Sequence, residues 1–335
     1  MTLALIPVQI LRLAGGFHVT DTGQSIARSM LMLRTHFAHH PIYEQLEGQF
    51  ERLLSNRRVE VDIGKAREAR AIALIGASGS GKSTAINRLL TKTPDLILPE
   101  EGQDYCDIVS LIIPSPATLK SVGRAILEAL GRPLRRERTT DAIWELVKAF
   151  LQERKVLFLH LDEAQDIARH QTPKEMQSVI NTLKSLMQSP SWPVGLILSG
   201  TPGLKDLLNY DPQLARRVFP IELPRLSPLG DISEVRTLVG FYSKEVGIPW
   251  GPETIASDVA TRLVHAADRE FGLLIEITID GIEEALHSGA SSLAIEHFAM
   301  AFSRRSGCIA GLNPFLADDF ERIDVRKLLG REGEE

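Results

Sequence analysis

An apolar run, Ala71-Ile72-Ala73-Leu74-Ile75, leads directly into Gly76-Ala77-Ser78-Gly79-Ser80-Gly81-Lys82-Ser83-Thr84, and this junction restricts the chain more than any other stretch. Its second part matches G-x-x-x-x-G-K-[ST]. In that pattern glycines let backbone N–H groups close around phosphate oxygens, while the N-terminus of the following helix adds positive potential. The order strand, loop, helix is the one a phosphate-binding turn needs. Gly76, Ser78, Gly79, Ser80, Gly81, Lys82, Ser83 and Thr84 are therefore the expected nucleotide contacts, with Lys82 reaching the β- and γ-phosphates and Ser83 holding Mg²⁺. ATP and Mg²⁺ are the ligands this pattern implies.

Composition bounds the rest. A chain of 335 residues, 44% hydrophobic and 24% charged, has room for two globular domains. Its only cysteines are Cys106 and Cys308, with no C-x-x-C, so neither a disulfide framework nor a zinc site is expected, and a reducing cytoplasm fits. Residues Leu3 to Leu13 are apolar but lack a basic leader and are interrupted by Pro7 and Arg12, which reads as a structured N-terminus rather than a signal peptide. No run approaches the roughly 18 uninterrupted apolar residues of a membrane span. A net charge of −5 excludes a wholly basic nucleic-acid coat and leaves room for a local basic stripe.

Helical periodicity predicts two helices between Thr22 and Val59, one through Ile26, Met30, Leu33 and Phe37, the next through Leu46, Phe50, Leu53 and Leu54, divided by Pro41. Arg52, Arg57 and Arg58 read as solvated charges. Asp107 to Ile113 reads as a strand stopped by Pro114-Ser115-Pro116, followed by helices from about Ala117 to Leu130 and from Asp141 to Glu153, the second capped by Thr139 or Thr140. Between them lies the most basic segment, with Lys120, Arg124, Arg132, Arg135, Arg136 and Arg138 against Glu128 and Glu137. From charge alone this is equally a solvated turn or a phosphate-binding surface. Val156 to Leu161 is a continuous apolar run ending in Asp162 and Glu163; a helix from Pro173 to Gln188 and a strand from Val194 to Leu198 follow. Strands alternating with helices predict a doubly wound parallel sheet with its polar tips along one edge, which is the expected active site. Beyond Leu223-Pro224 only helices are expected. Asp231-Ile232-Ser233-Glu234 has capping-box spacing, helices run through about 253–267, 273–286 and 294–303, and Asn313 to Glu335 reads as a tail or a docking peptide.

At the strand tips, Asp162 suits a carboxylate that holds Mg²⁺ opposite Ser83, and Glu163, one residue on, suits the base that orients and deprotonates water for in-line attack. His160 reads as a packed strand residue. Thr201, with Ser199 as the second choice, ends the strand expected beside these two and offers a hydroxyl to sense the γ-phosphate; an ordinary turn is the plain alternative. Arg216 and Arg217 can stabilise transition-state charge across a subunit interface if the protein forms rings or filaments, and otherwise are a surface pair.

GASGSGKST, LFLHLDEAQ, ILSGTPGL and QLARRVFPIELPRL, followed by a helical lid, resemble the AAA+ ATPases, and within them the TniB/TnsC-type transposition regulators. The similarity runs from about Tyr43 to Leu329, including Asn313-Pro314-Phe315 and Asp324-Val325-Arg326. It implies an α/β fold of the AAA+ P-loop class, a parallel sheet sandwiched by helices with a small C-terminal helical lid. The expected divisions are an N-terminal helical extension (1–65), the nucleotide-binding core (66–225), the lid (226–310) and a C-terminal tail (311–335). It further implies assembly on duplex DNA with ATP as a ring or helical filament, partnership with a transposase and a target-selection protein, and hydrolysis as the clock for disassembly. Lys120 and the turn Arg135 to Thr140, which includes Arg136, Arg138 and Thr139, fall where such proteins present sequence-independent contacts to DNA phosphates, with Arg124 in the same basic segment. One departure stands out: Phe271-Gly272-Leu273-Leu274 offers no lid arginine, and Arg269 is a weak substitute. The competing class is an ATPase that remodels a protein partner, with the basic turn incidental. A two-core helicase is disfavoured by the single P-loop, and an ABC subunit by Leu198-Ser199-Gly200 following rather than preceding Asp162.

Overall fold

The computed structural model describes residues 21–65, 67–100, 103–169, 171–251 and 258–327; the apolar N-terminal run and the last eight residues of the expected tail lie outside them. Five parallel strands, β1 (Ala71–Ile75), β2 (Ile108–Ile112), β3 (Phe158–Asp162), β4 (Gly195–Gly200) and β5 (Val218–Glu222), make one sheet in the order β2-β3-β4-β1-β5. Residues of β1 and β4 are buried throughout, as expected for central parallel strands covered on both faces. No strand is expected from the sequence at β5, which holds Pro220. Proline is tolerated here because β5 is an edge strand that pairs only with β1.

Side-chain alternation divides the core cleanly. Ala71, Ala73 and Ile75 of β1, with Leu159, Leu161, Leu196 and Leu198, face α4 (Leu119–Ala129), α5 (Thr140–Glu153) and α6 (Pro173–Met187). Ile72, Leu74, Ile108, Phe158 and Ile197 face α2 (Pro41–Asp62) and α3 (Lys82–Lys92). The two N-terminal helices do not form one body. Tyr43, Leu46, Phe50, Leu53 and Leu54 of α2 pack on the sheet, whereas Ile26, Met30 and Leu33 of α1 (Asp21–Thr35) join the core of the lid. Arg57, expected to be solvated, is buried: Nη1 pairs with Glu60 at 2.8 Å and Nη2 donates to the Pro193 carbonyl at 2.7 Å, fastening α2 to the loop before β4.

Two short helices, α7 (Leu204–Tyr210) and α8 (Pro212–Ala215), connect β4 to β5. The lid comprises α9 (Ile232–Glu245), α10 (Val259–Ala266), α11 (Phe271–His287) and α12 (Ile295–Ser306). The capping box expected before α9 is not formed, because the Asp231 carboxylate instead accepts the Ser227 N–H at 2.7 Å and closes the preceding turn. At the junction of core and lid, Arg225 donates to Asp268 at 2.7 Å and Glu270 at 2.8 Å. After α12, residues 313–323 dock on the lid. Asn313 is fully buried, its amide donating to Ala299 O at 2.8 Å and Ser303 Oγ at 2.9 Å, and Phe315 stacks on Phe298 with centroids 5.5 Å apart. Among the described residues no helix is long and apolar enough to cross a membrane.

Candidate active site

The phosphate loop follows from β1 without a break. Gly81 caps α3 with φ 98°, a left-handed conformation that a side chain strains. The first N–H groups of α3 have no partner within the helix and point into the loop. Ser80 is buried and its Oγ has no hydrogen-bond partner, an orphan that a phosphate oxygen would satisfy. Lys82 folds back over the loop, Nζ donating to the Gly76 and Ala77 carbonyls at 2.9 Å each. Burial lowers its pKa, while Glu163, Asp162 and Glu270 oppose that shift. The loop is thus a cradle with its cation already in place.

Asp162, at the tip of β3, uses its two oxygens differently. Oδ1 accepts from Ser199 Oγ at 2.6 Å and from the Glu163 N–H at 3.0 Å, whereas Oδ2 lies 3.4 Å from Ser83 Oγ. Ser83 and Asp162 are the pair that would hold Mg²⁺, whose charge would offset that of the β- and γ-phosphates. Glu163 has φ 56°, uncommon for a residue with a side chain and typical of functional positions. Its carboxylate accepts from Gln165 Nε2 at 2.6 Å, and Gln165 Oε1 in turn accepts the Thr201 N–H at 3.0 Å. Sequence reading overlooked Gln165, which ties the tip of β3 to the tip of β4.

The two polar strand ends have separate places. Thr201 lines the cleft beside Glu163 and is joined to Gln165 through its backbone N–H, while Ser199, the second choice, contacts Asp162. His160 is more than a packing residue, since Nδ1 lies 2.7 Å from Ser110 Oγ and Nε2 2.7 Å from Ser199 Oγ. Burial pushes its pKa down to about 4, so the ring is neutral at physiological pH.

Above the loop, a cleft of about 710 Å³ reaches from Glu163 and Thr201 past Phe37, His40 and Phe271, whose rings offer flat apolar surfaces for a base. The lid closes directly on the phosphate loop: the Leu273 N–H donates to the Gly79 carbonyl at 2.8 Å. A Cβ at Gly272 would lie 2.7 Å from that carbonyl oxygen and 2.9 Å from Gly81 N. Gly272→Ala is therefore expected to push α11 off the loop and weaken nucleotide binding by about 1–3 kcal/mol. An equilibrium titration with a fluorescent ATP analogue checks this, and wild-type affinity would remove the contact as a constraint. Arg269 is no substitute for a lid arginine, being exposed and outside the cleft lining; the lid arginine that lines the cleft is Arg305, paired with Glu276 and Asp280.

The two arginines before β5 have separate fates. Arg217 is buried and held by Glu68 and the Gln213 carbonyl, so it belongs to the fold and is unavailable to a neighbour. The Arg216 side chain is exposed; its backbone is engaged, the carbonyl accepting from Arg70 at 2.8 Å and the N–H donating to the Pro212 carbonyl at 3.2 Å. On the opposite side of the core, the start of α4 meets the turn before α5. Glu137 bridges Lys120 at 2.6 Å and Arg124 at 2.8 Å, and these contacts lower its pKa. Arg135, Arg136 and Arg138 are exposed and pair with no carboxylate among the described residues. Thr139 is exposed and caps α5, accepting from the Ala142 N–H at 3.3 Å.

Residues 34–228, more than half of the chain, match the profile of the bacterial TniB protein. Among solved structures, the ORC2 protein of Aeropyrum pernix superposes with a TM-score of 0.53 at 15% identity, covering 76% of this chain and 67% of that one. Cdc6p of Pyrobaculum aerophilum gives 0.54 at 17% identity, covering 81% and 69%. At such identities the likeness is one of fold, the AAA+ arrangement of sheet and lid. No curated protein matches the chain.

Proposed function

Because the chain belongs to the bacterial TniB family, we propose that this P-loop ATPase is a regulator of DNA transposition that assembles on duplex DNA when ATP is bound. ATP joins the subunits, the assembly couples target-site selection to recruitment of a transposase, and hydrolysis releases it, in a cytoplasmic setting. The observation that carries the assembly is the position of Arg216. It precedes β5 beside Ala71, at the end of the sheet away from Gly76, and β1 spans the gap. At about 3.3 Å per residue that separation is roughly 15 Å, so Arg216 serves a neighbour's γ-phosphate rather than its own. The ring or filament this requires places one chain's Arg216 against the next chain's Lys82, Asp162 and Glu163.

DNA contact is assigned to Lys120, Arg124, Arg135, Arg136, Arg138 and Thr139, all exposed or partly exposed on one edge of the core. Contacts of this type neutralise phosphates without reading bases, so affinity falls steeply with salt. Lys120→Glu combined with Arg135→Glu is expected to abolish duplex binding and leave nucleotide binding intact. Fluorescence anisotropy with labelled duplex checks this, and unchanged affinity at moderate salt would remove the DNA role from this surface. The pairing of Lys120 and Arg124 with Glu137 favours a second reading, in which the partner is a protein to be remodelled. Hydrolysis stimulated by a protein partner and indifferent to duplex DNA would select it.

A further inference from the structure

Side chains from three neighbouring strands form one line of hydrogen bonds on the α2/α3 face of the sheet, exposed at Ser110 and buried at His160 and Ser199. Ser110 on β2 lies opposite His160 on β3 in the parallel register, with Oγ and Nδ1 2.7 Å apart. His160 Nε2 is 2.7 Å from Ser199 Oγ on β4, and that oxygen is 2.6 Å from Asp162 Oδ1. His160 is 3% exposed and Ser199 is wholly buried, so no solvent competes for the bond between them, while Ser110 at the outer end of the line is exposed.

Counting protons fixes the direction of the line. The Asp162 carboxylate only accepts, so the single Ser199 hydroxyl proton goes to Oδ1. Ser199 can then only accept from His160, which places hydrogen on Nε2. Bare Nδ1 takes the Ser110 proton. Oδ1 also receives the Glu163 N–H at 3.0 Å and is therefore fully engaged, which leaves Oδ2 as the oxygen facing Ser83. The sequence context sharpens the point, because Phe158, Leu159 and Leu161 around His160 are apolar, and an apolar side chain would fill this position without the desolvation that a buried imidazole requires.

We propose that His160 is a positioning residue of the ATPase site: acting through Ser199, and anchored by Ser110, it fixes the Asp162 carboxylate so that Oδ2 is presented to the Mg²⁺ position beside Ser83. The inference rests on the ATP and Mg²⁺ reading of that site. Groups that orient a metal ligand from behind typically change metal affinity or activity by about 10- to 100-fold when removed.

The test is binding rather than turnover. A fluorescent ATP analogue is titrated into wild type, His160→Leu, His160→Gln, Ser199→Ala and Ser110→Ala, once in EDTA and once across a Mg²⁺ series, with thermal unfolding followed in parallel. His160→Leu should bind nucleotide in EDTA as wild type does while its half-saturating Mg²⁺ concentration rises by about 10- to 100-fold. His160→Gln, which keeps an amide N–H to give to Ser199, should recover most of that. Ser199→Ala should match the leucine variant, and the two substitutions together should be no worse than Ser199→Ala alone. Ser110→Ala is the mild variant should leucine disturb folding, with a smaller shift in the same direction. Unchanged Mg²⁺ dependence in the His160 and Ser110 variants, or an equal loss in EDTA, overturns the inference. Wild type binding nucleotide with no Mg²⁺ dependence at all would instead overturn the reading of the site on which it stands.

Discussion

Arg216→Ala is expected to lower hydrolysis by the assembled protein by roughly 10³- to 10⁵-fold, the range over which an arginine supplied in trans stabilises phosphoryl-transfer charge. Nucleotide affinity of the dispersed chain should not change, because Arg216 lies at the far end of the sheet from its own phosphate loop. Arg217→Ala should behave differently. That side chain is buried against Glu68 and the Gln213 carbonyl, so its removal lowers stability and disturbs all measurements together. Mixing separates a shared site from a damaged one. Arg216→Ala subunits carry intact Glu163 but no finger, and Glu163→Gln subunits carry the finger but no base. Their mixture should regain hydrolysis that neither has alone, and a mixture as inactive as its components would remove Arg216 from the site.

Glu163→Gln should leave ATP binding intact and lower hydrolysis by about 10²- to 10⁴-fold, the usual contribution of a positioned base. The variant keeps the shape of the side chain and its left-handed backbone position, so Asp162 and the β3 tip are preserved. Since hydrolysis is the proposed release step, the variant should also persist on DNA after excess ATP is removed. Quantifying phosphate release together with the lifetime of the DNA complex checks both halves. Undiminished release would exclude Glu163 as base, and a short-lived complex despite blocked release would separate hydrolysis from disassembly.

What could be read from the sequence was whatever lies contiguous along the chain. The phosphate loop and the Asp162-Glu163 tip are each a strand running into a short polar stretch, and the structure joins them at Ser83 and Asp162. Features set by distant partners were hidden. Whether Ser199 or Thr201 meets Asp162 depends on how far each lies along the chain: the pairing of Leu161 with Leu198 brings Ser199 level with Asp162, and Thr201 lies past the end of β4. Arg216 and Arg217 are neighbours in sequence, and Arg217 is the one that turns inward, to Glu68, far earlier in the chain, and to the Gln213 carbonyl. β5 holds Pro220, whose fitness for a strand depends on the edge position. The engagement of Lys120 and Arg124 by Glu137 required the folding of α4 against the α5 turn. Gly272 has no motif of its own in the sequence, yet its bare backbone is what lets the lid touch Gly79 and Gly81.

Gln165 shows the same limit at closer range. It is two residues from Glu163, yet its function is visible only because the end of β4 brings the Thr201 N–H within 3.0 Å of its side-chain oxygen. Such a bridge couples Glu163, the proposed base, to the strand tip facing the cleft, so its geometry depends on two strands at once.

The central claim is that ATP and duplex DNA together build an assembly of this chain. Negative-stain imaging of the purified protein with duplex DNA and a non-hydrolysable ATP analogue, alongside samples lacking either component, tests it most directly. Rings or filaments on DNA only when both are present are the predicted result. Dispersed particles with both present, or the same assemblies without DNA or without nucleotide, would contradict it.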